Sequence, residues 1–251
     1  MRCLLALIGL SCAVPAFAAP VDIGGGMEQF VWQEYATGGS KLLKESGQRL
    51  FMSVEAENEV SDRWTYGFFG KIYSGTVNYD GQLMSGTPYS TDSDYNGILA
   101  DIDFTGRFLA SNGEYSDLGL RFGLGGDAWR RHILGTNGYT EEYVVVFGKL
   151  GLAYMPQEGW FGDVGAKYPF SVNEDVKLYD HVSLSPQGTF SLYATAGYNF
   201  NQRWSVKGYY SGYRFKASDS KPLTNGGVLV SDVYQPRSTM DLYGLTVGIY
   251  F

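Results

Sequence analysis

The last nine residues of the chain follow a strict two-residue alternation. Large hydrophobic side chains occupy every second position from Tyr243 to Phe251, and Gly, Thr and Tyr stand between them. Because successive side chains of a β-strand point to opposite faces, the pattern predicts a strand with one continuous apolar face. Such a strand suits a closed barrel whose outside contacts lipid and whose inside is small and polar.

Residues 1–18 predict an export signal. A positive start precedes an apolar run, and Ala16-Phe17-Ala18 is a small-x-small cleavage site before Ala19. Both cysteines of the chain, Cys3 and Cys12, lie in this segment. The mature domain, residues 19–251, is therefore expected to lack thiol chemistry and disulfides.

Composition narrows the class of protein further. The 251 residues are 16% aromatic and include 34 Gly and 20 Tyr, and no stretch after the signal is apolar enough for a membrane-spanning helix. The net charge of −7 gives no basic surface for nucleic acid. We find no composition break, so we expect one domain, without a cofactor or a metal.

Alternating faces predict an all-β fold, an antiparallel transmembrane β-barrel of about ten strands. The clearest alternation runs from Ile98 to Ala110, where Ile102 and Phe104 share one face while Asp101 and Asp103 share the other. The predicted strands are 28–35, 48–58, 64–75, 98–110, 118–128, 141–155, 161–171, 189–200, 204–215 and 238–251.

The connections between these strands alternate in length. Short turns are predicted near Ser61-Asp62, Asn112-Gly113, 157–159 and Asn201-Gln202, and long loops at 36–47, 76–96, 130–140, 172–188 and 216–237. Because such barrels have short periplasmic turns and long outer loops, both termini are expected in the periplasm. Three tryptophans directly follow short turns, as an aromatic girdle at the inner headgroups would require: Trp64, Trp160 and Trp204.

The structural alternative is a soluble barrel or sandwich with its apolar face inward. About five bulky side chains from each of ten strands would overfill a small barrel, whose interior at about eight strands just accommodates side chains. The polar stripe mixes both signs of charge and can pair across a narrow lumen. We therefore expect lipid outside and a plugged lumen, with polar residues such as Glu55, Glu57, Lys71, Asp101, Asp103, Arg107, Arg121, Asp127, Lys149, Asp163 and Lys167 inside.

The C-terminal strand also resembles the signal by which bacterial outer-membrane proteins reach the barrel-assembly machinery. The resemblance lies in the terminal Phe251 and in the hydrophobic residues two, four and six positions before it. It implies the assembly machinery as a partner and the cell outer membrane as the location. Outer-membrane lipid and lipopolysaccharide are the other expected partners of a monomeric barrel.

Three stretches resemble the omptin family of outer-membrane proteases: 35–49, 98–120 and 194–198 with the final strand. Omptins activate a water molecule with an Asp-x-Asp pair and an Asp-x-His couple. The corresponding segments read Asn78-Tyr79-Asp80 and Asp180-His181, so one carboxylate is missing and the couple is adjacent instead of spaced. No catalytic residue is assigned: Asp80, Asp180 and His181 are the candidates, and the alternative is that they are solvated loop residues.

A second histidine, His132, follows Trp129-Arg130-Arg131 at the base of a predicted loop. Its position favours Trp129 as a marker of the outer aromatic level and the two arginines as contacts to lipopolysaccharide phosphate or the interface.

Three functions stay open at this point. The favoured hypothesis is a non-enzymatic surface or envelope protein for adhesion, recognition or membrane integrity, because the lumen is expected to be filled with charges that can pair. The alternatives are an omptin-like endopeptidase and a small-solute channel, which would require an unobstructed lumen.

Overall fold

The computed structural model describes residues 21–83, 86–136, 138–200 and 203–251. The predicted signal peptide at residues 1–18 and the predicted turn at Asn201-Gln202 lie outside the described residues. No helix in the described part of the chain is long and apolar enough to cross a membrane.

In the described residues, ten long antiparallel strands close into one barrel, as predicted. The same residues contain four short strands on the long-loop side, of which two pair with the ends of long strands and two form a separate hairpin. The strands are β1 Val21–Tyr35, β2 Lys41–Ser61, β3 Trp64–Gln82, β4 Pro88–Leu109, β5 Tyr115–Ile133, β6 Thr140–Tyr154, β7 Gly159–Lys177, β8 Val182–Leu184, β9 Gln187–Thr189, β10 Ser191–Phe200, β11 Trp204–Lys216, β12 Lys221–Asn225, β13 Val228–Val233 and β14 Arg237–Tyr250.

The barrel closes between β1 and β14. These strands pair from Asp22 opposite Tyr250 to Tyr35 opposite Arg237. At their ends the Val21 N–H donates to the Phe251 carbonyl, and the Phe251 N–H donates to the Val21 carbonyl, at 3.1 and 2.9 Å. The C-terminal strand thus leaves no free barrel edge, and both ends of the described chain lie on the side of the short turns.

An apolar belt surrounds the barrel on its outside. Ile102 and Phe104 are 41% and 45% exposed, whereas Asp101 before them and Thr105 after them are buried. The predicted direction of the apolar stripes is therefore confirmed. Trp64, Trp160 and Trp204 are also exposed, just after the short turns, at the height of a girdle.

An arginine placed in this belt should destabilise the barrel in lipid. We expect Ile102→Arg to lower the free energy of unfolding by about 2–4 kcal/mol, because a charge near the bilayer midplane loses its hydration. Ser90→Arg is the control, since Ser90 is exposed on the same face of β4 but beyond the belt. Urea unfolding in liposomes measures both variants; equal stability of the two would contradict the outward orientation.

The strands extend far past the ends that the apolar pattern predicts. β3 continues to Gln82 and β4 begins at Pro88, so most of the predicted loop 76–96 is a paired ladder. The outer face of this extension is polar, with Thr76 bonded to Asp94 and Asn78 bonded to Asp92. The apolar signal ends where the belt ends, but backbone pairing does not require apolar residues, so the strands continue beyond it.

Candidate functional site

The residues that resemble omptin catalytic positions lie in two places, with Asp80 on β3 and Asp180-His181 just before β8. Asp80 is exposed on the outer face of β3, opposite Lys44 and Ser90, while its neighbour Tyr79 packs into the lumen. His181 is exposed just before β8. In the described part of the chain, no hydrogen bond or ion pair joins Asp80, Asp180 and His181.

Asp180 instead holds the turn of the β12–β13 hairpin. Its carboxylate accepts hydrogen bonds from the Thr224 hydroxyl at 2.7 Å and the Gly227 N–H at 3.0 Å, and its own N–H donates to the Thr224 carbonyl at 2.9 Å. The bonds from Gly227 and Thr224 lower the pKa of Asp180 below its usual range. The carboxylate therefore stays ionised and bound at neutral pH.

The hairpin packs against the end of β7 and β8 to form what we term the distal lobe, residues 176–184 and 221–233. A small apolar cluster joins its two parts: Val176, Val182, Leu184 and Leu223. Lys221 donates to the Ser183 carbonyl at 2.6 Å as a further link. The lobe is therefore a packed unit and not a pair of independent loops.

The distal lobe exposes a contiguous run of large side chains. Val228, Leu229 and Val230 are 70%, 62% and 50% exposed, and Tyr179 is 58% exposed. Tyr179 also has a φ of 55°, a left-handed conformation that costs a bulky residue free energy. The next residue, Asp180, is bonded to the hairpin turn through its carboxylate and its N–H, a contact that we term the Asp180 clamp.

The lumen beneath the distal lobe is filled by aromatic side chains. Trp129 stacks on Tyr143 with a centroid distance of 4.8 Å, and Trp32 meets both rings edge-on. The largest side chains of this plug are 3% exposed or less: Phe30, Trp32, Tyr95, Trp129, Tyr143 and Tyr213. The expected plugged lumen is present in this half of the barrel.

Two sequence interpretations are wrong at this level. Trp129 does not mark the outer aromatic level, and Arg131 is not an interfacial contact, because both are buried in the lumen, whereas Arg130 is exposed. The two-residue alternation of side chains along this strand already indicates their inward direction. Residues two and four positions after the inward-facing Asp127 share its face, so Trp129 and Arg131 point inward as well.

Arg131 is the cation of a buried acidic cluster beyond the apolar belt. Its guanidinium lies 2.7 Å from Glu141, 3.0 Å from Glu45 and 3.4 Å from Glu34. Burial raises the pKa of Glu34, and burial followed by the nearby Glu141 and Glu34 charges raises that of Glu174 well above its usual range. One arginine thus balances several buried carboxylates.

A second buried network lies within the belt, around Glu28. The carboxylate accepts from Arg49 Nη2 at 2.6 Å and from Lys71 Nζ at 2.9 Å, and the Tyr209 hydroxyl also donates to it. The Arg49 guanidinium lies between the rings of Phe30 and Tyr73, with centroid distances of 4.4 and 4.3 Å. The ion pairs and rings together close the middle of the lumen.

The other half of the lumen is open. A cavity of about 810 Å³ extends inward from the short-turn end, where Asn58, Glu59 and Gln157 line its mouth. Ion pairs line its walls, including Lys207 with Asp22 at 2.7 Å. The expectation of a filled lumen therefore holds for the long-loop half only, because at the short-turn end charged side chains pair along the wall and leave the axis free.

The other carboxylates of the predicted loops 76–96 and 172–188 lie in β4 and β7 and have local partners or point into the lumen. Asp92 and Asp94 accept from side chains of β3, Asp175 accepts from the Ser183 hydroxyl, and Glu174 points into the lumen. Across the described ranges, no group of three or more His, Cys, Asp or Glu side chains is arranged to hold a metal ion.

The ten-stranded architecture matches solved bacterial membrane proteins. With the outer membrane protease OmpT from Escherichia coli the TM-score is 0.54 at 12% identity, over 95% of this chain and 99% of that chain. The fold is that of an outer-membrane β-barrel. Its apolar belt places it in the outer membrane, in contact with lipid or lipopolysaccharide.

Two further similar structures share less of the geometry. The translocator domain of the autotransporter NalP from Neisseria meningitidis gives a TM-score of 0.45 at 9% identity, covering 98% of this chain and 94% of that one. Ail, the attachment invasion locus protein of Yersinia pestis, gives 0.36 at 11% identity, covering 94% and 100%. No protein-family model and no curated protein matches the sequence.

Proposed function

We propose that the protein is a non-enzymatic surface protein that recognises a protein partner through the distal lobe. The observation that carries this proposal is the exposed run Val228–Val230 beside the constrained Tyr179. Apolar side chains exposed beyond the belt gain nothing from lipid and cost solubility, and exposed apolar patches mark interaction sites. The proposal also requires the long-loop end to face the cell exterior, as the turn lengths predict.

The β12–β13 hairpin supports a particular mode of recognition. Within the described residues, β13 pairs with β12 alone, so its other edge offers unpaired backbone donors and acceptors. An exposed strand edge with apolar side chains is a template for adding an extended segment as a third strand. The partner would then be a protein with an extended, apolar stretch.

The two alternatives receive less support. The likeness to a protease rests on fold alone. The described hydrogen bonds of the Asp180 carboxylate go to a hairpin turn and not to a histidine. The aromatic plug opposes steady solute permeation, because Trp32, Trp129 and Tyr143 are buried and their rings pack against one another. Peptidase and channel activity are the alternatives. An assay that measures adherence alone distinguishes recognition from both.

Adherence of cells that express the protein to a panel of immobilised proteins tests the proposal. We expect expressing cells to bind at least one coating, Asp180→Ala to reduce adherence several-fold because the lobe loosens, and Val228→Lys/Leu229→Lys to abolish it. Asp219→Ala is the matched control, because it removes an exposed carboxylate near the hairpin whose side chain holds no turn.

The barrel itself should keep its stability in all three variants, since these residues lie outside the belt. Adherence that is equal with and without the protein, or unchanged in Asp180→Ala and in the double lysine variant, would contradict the proposal. Peptide cleavage lost in His181→Ala would favour the peptidase instead.

A further inference from the structure

The open half of the lumen contains a buried lysine without an acidic partner. Lys167 is 3% exposed and lines the cavity. Its ammonium donates to the Ser211 hydroxyl at 2.8 Å and lies 3.4 Å from the centroid of the Tyr213 ring. No carboxylate lies within ion-pair distance of it in the part of the chain that the structure describes. A buried charge without a counter-ion is costly, so this position favours an anion.

The other cations of the cavity are paired. Lys149 contacts Asp101 and Asp103 at 3.0 and 2.8 Å, and Arg121 contacts Glu57 and Asp163. Lys149 is also the direct cross-strand neighbour of Lys167. Because like charges at opposite positions repel, an anion beside Lys167 is favoured further.

The walls around Lys167 are rich in rings. Phe147 lies 5.0 Å from the ammonium, measured to the ring centroid. Further rings line the same cavity: Phe51, Phe69, Tyr193, Tyr209 and Tyr210. Pockets for small molecules combine such apolar walls with a few polar groups that orient the ligand. The volume of about 810 Å³ is sufficient for a molecule of several rings.

We propose that the cavity binds a small aromatic molecule carrying one anionic group, with Lys167 as its counter-ion. The rings contact the apolar body, and the Lys167 ammonium donates to the anion. Glu55 and Glu59 already pair with Lys207 and Arg107, so a second anionic group of the ligand would find no free counter-ion in the described lining. The ligand enters from the short-turn end, because the aromatic plug closes the opposite end.

Fluorescence titration of the refolded full barrel in an uncharged detergent tests the proposal. The probes are naphthalene-2-carboxylate and its neutral analogue naphthalene-2-carboxamide, with detergent alone as the blank. We expect saturable binding of the carboxylate, about tenfold or more tighter than that of the amide. Lys167→Met should remove this preference, and Lys167→Arg should keep most of it.

Lys216→Met is the matched control, because Lys216 is exposed and lies outside the cavity. Heat-modifiable gel migration checks that each variant folds. If Lys167→Met does not fold, the proposal is tested by the wild type and Lys167→Arg, which should both bind the carboxylate more tightly than the amide. Absent binding, equal binding of both probes, or an unchanged preference in folded Lys167→Met would overturn the proposal and leave a cavity filled with water.

Discussion

Replacing Arg131 with methionine should lower the free energy of unfolding of the barrel by about 3–5 kcal/mol at neutral pH. The substitution leaves Glu34, Glu45 and Glu141 without the guanidinium that contacts all three. These carboxylates are almost fully buried, so water cannot replace the lost charge. Urea unfolding followed by tryptophan fluorescence measures the loss.

The loss should depend on pH in a defined direction. Burial raises the pKa of Glu34 and Glu174 in the folded state above the ordinary 4.5. A raised folded pKa contributes stability that is present below the ordinary value and disappears as the pH rises through the folded value. Removing Arg131 raises these pKa values further, so the variant should lose more stability at pH 8 than at pH 5.

Arg131→Lys is the matched variant for this cluster. It keeps the charge but cannot donate to Glu45 and Glu141 with the planar geometry of a guanidinium, so its stability should be intermediate. An Arg131→Met barrel as stable as the wild type, or a loss that does not change between pH 5 and pH 8, would show that the cluster is already neutral.

Replacing Glu28 with glutamine should also cost about 3–5 kcal/mol, because it leaves the buried cations Arg49 and Lys71 without an anion. Glutamine has nearly the same size, so the loss reports charge and not packing. Equilibrium unfolding in detergent or liposomes measures it.

A double-mutant cycle separates the ion pairs from the rest of the network. Removing one of the two cations as well, in Glu28→Gln/Lys71→Met, should recover part of the stability that Glu28→Gln loses. Strict additivity of the two single substitutions would mean that Glu28 and Lys71 do not interact in the folded barrel. A loss below about 1 kcal/mol for Glu28→Gln would mean that water reaches the site.

The inward orientation of Trp129 and Arg131 is predictable from the sequence. The alternation through Asp127 is sufficient to place both side chains inward, whereas the indole of Trp129, the charge of Arg131 and their place at a predicted loop base favour an interface. The strand extends beyond the last apolar residue of its outer face. Strand β5 continues to Ile133 because its backbone pairs with β4 and β6 on both sides.

The cavity and the distal lobe could not be predicted in the same way. Lys167 belongs to the predicted polar stripe, but nothing in its neighbours along the chain indicates that it has no acidic partner, since every partner would come from another strand. The clamp between Asp180 and the turn near Gly227 joins residues far apart in sequence. Local patterns carry no information on such contacts.

The sequence by itself determined the fold class, the number of barrel strands and the outward direction of the apolar faces. These three properties follow from the two-residue alternation of apolar and polar side chains, which is visible within each strand. Because lipid surrounds the barrel, the apolar face of each strand must point outward. The tertiary structure alone decided which charges pair, where the lumen is closed or open, and which loop residues meet. Those outcomes depend on the register and closure of the strands, because closure brings side chains from distant segments to the same height in one lumen.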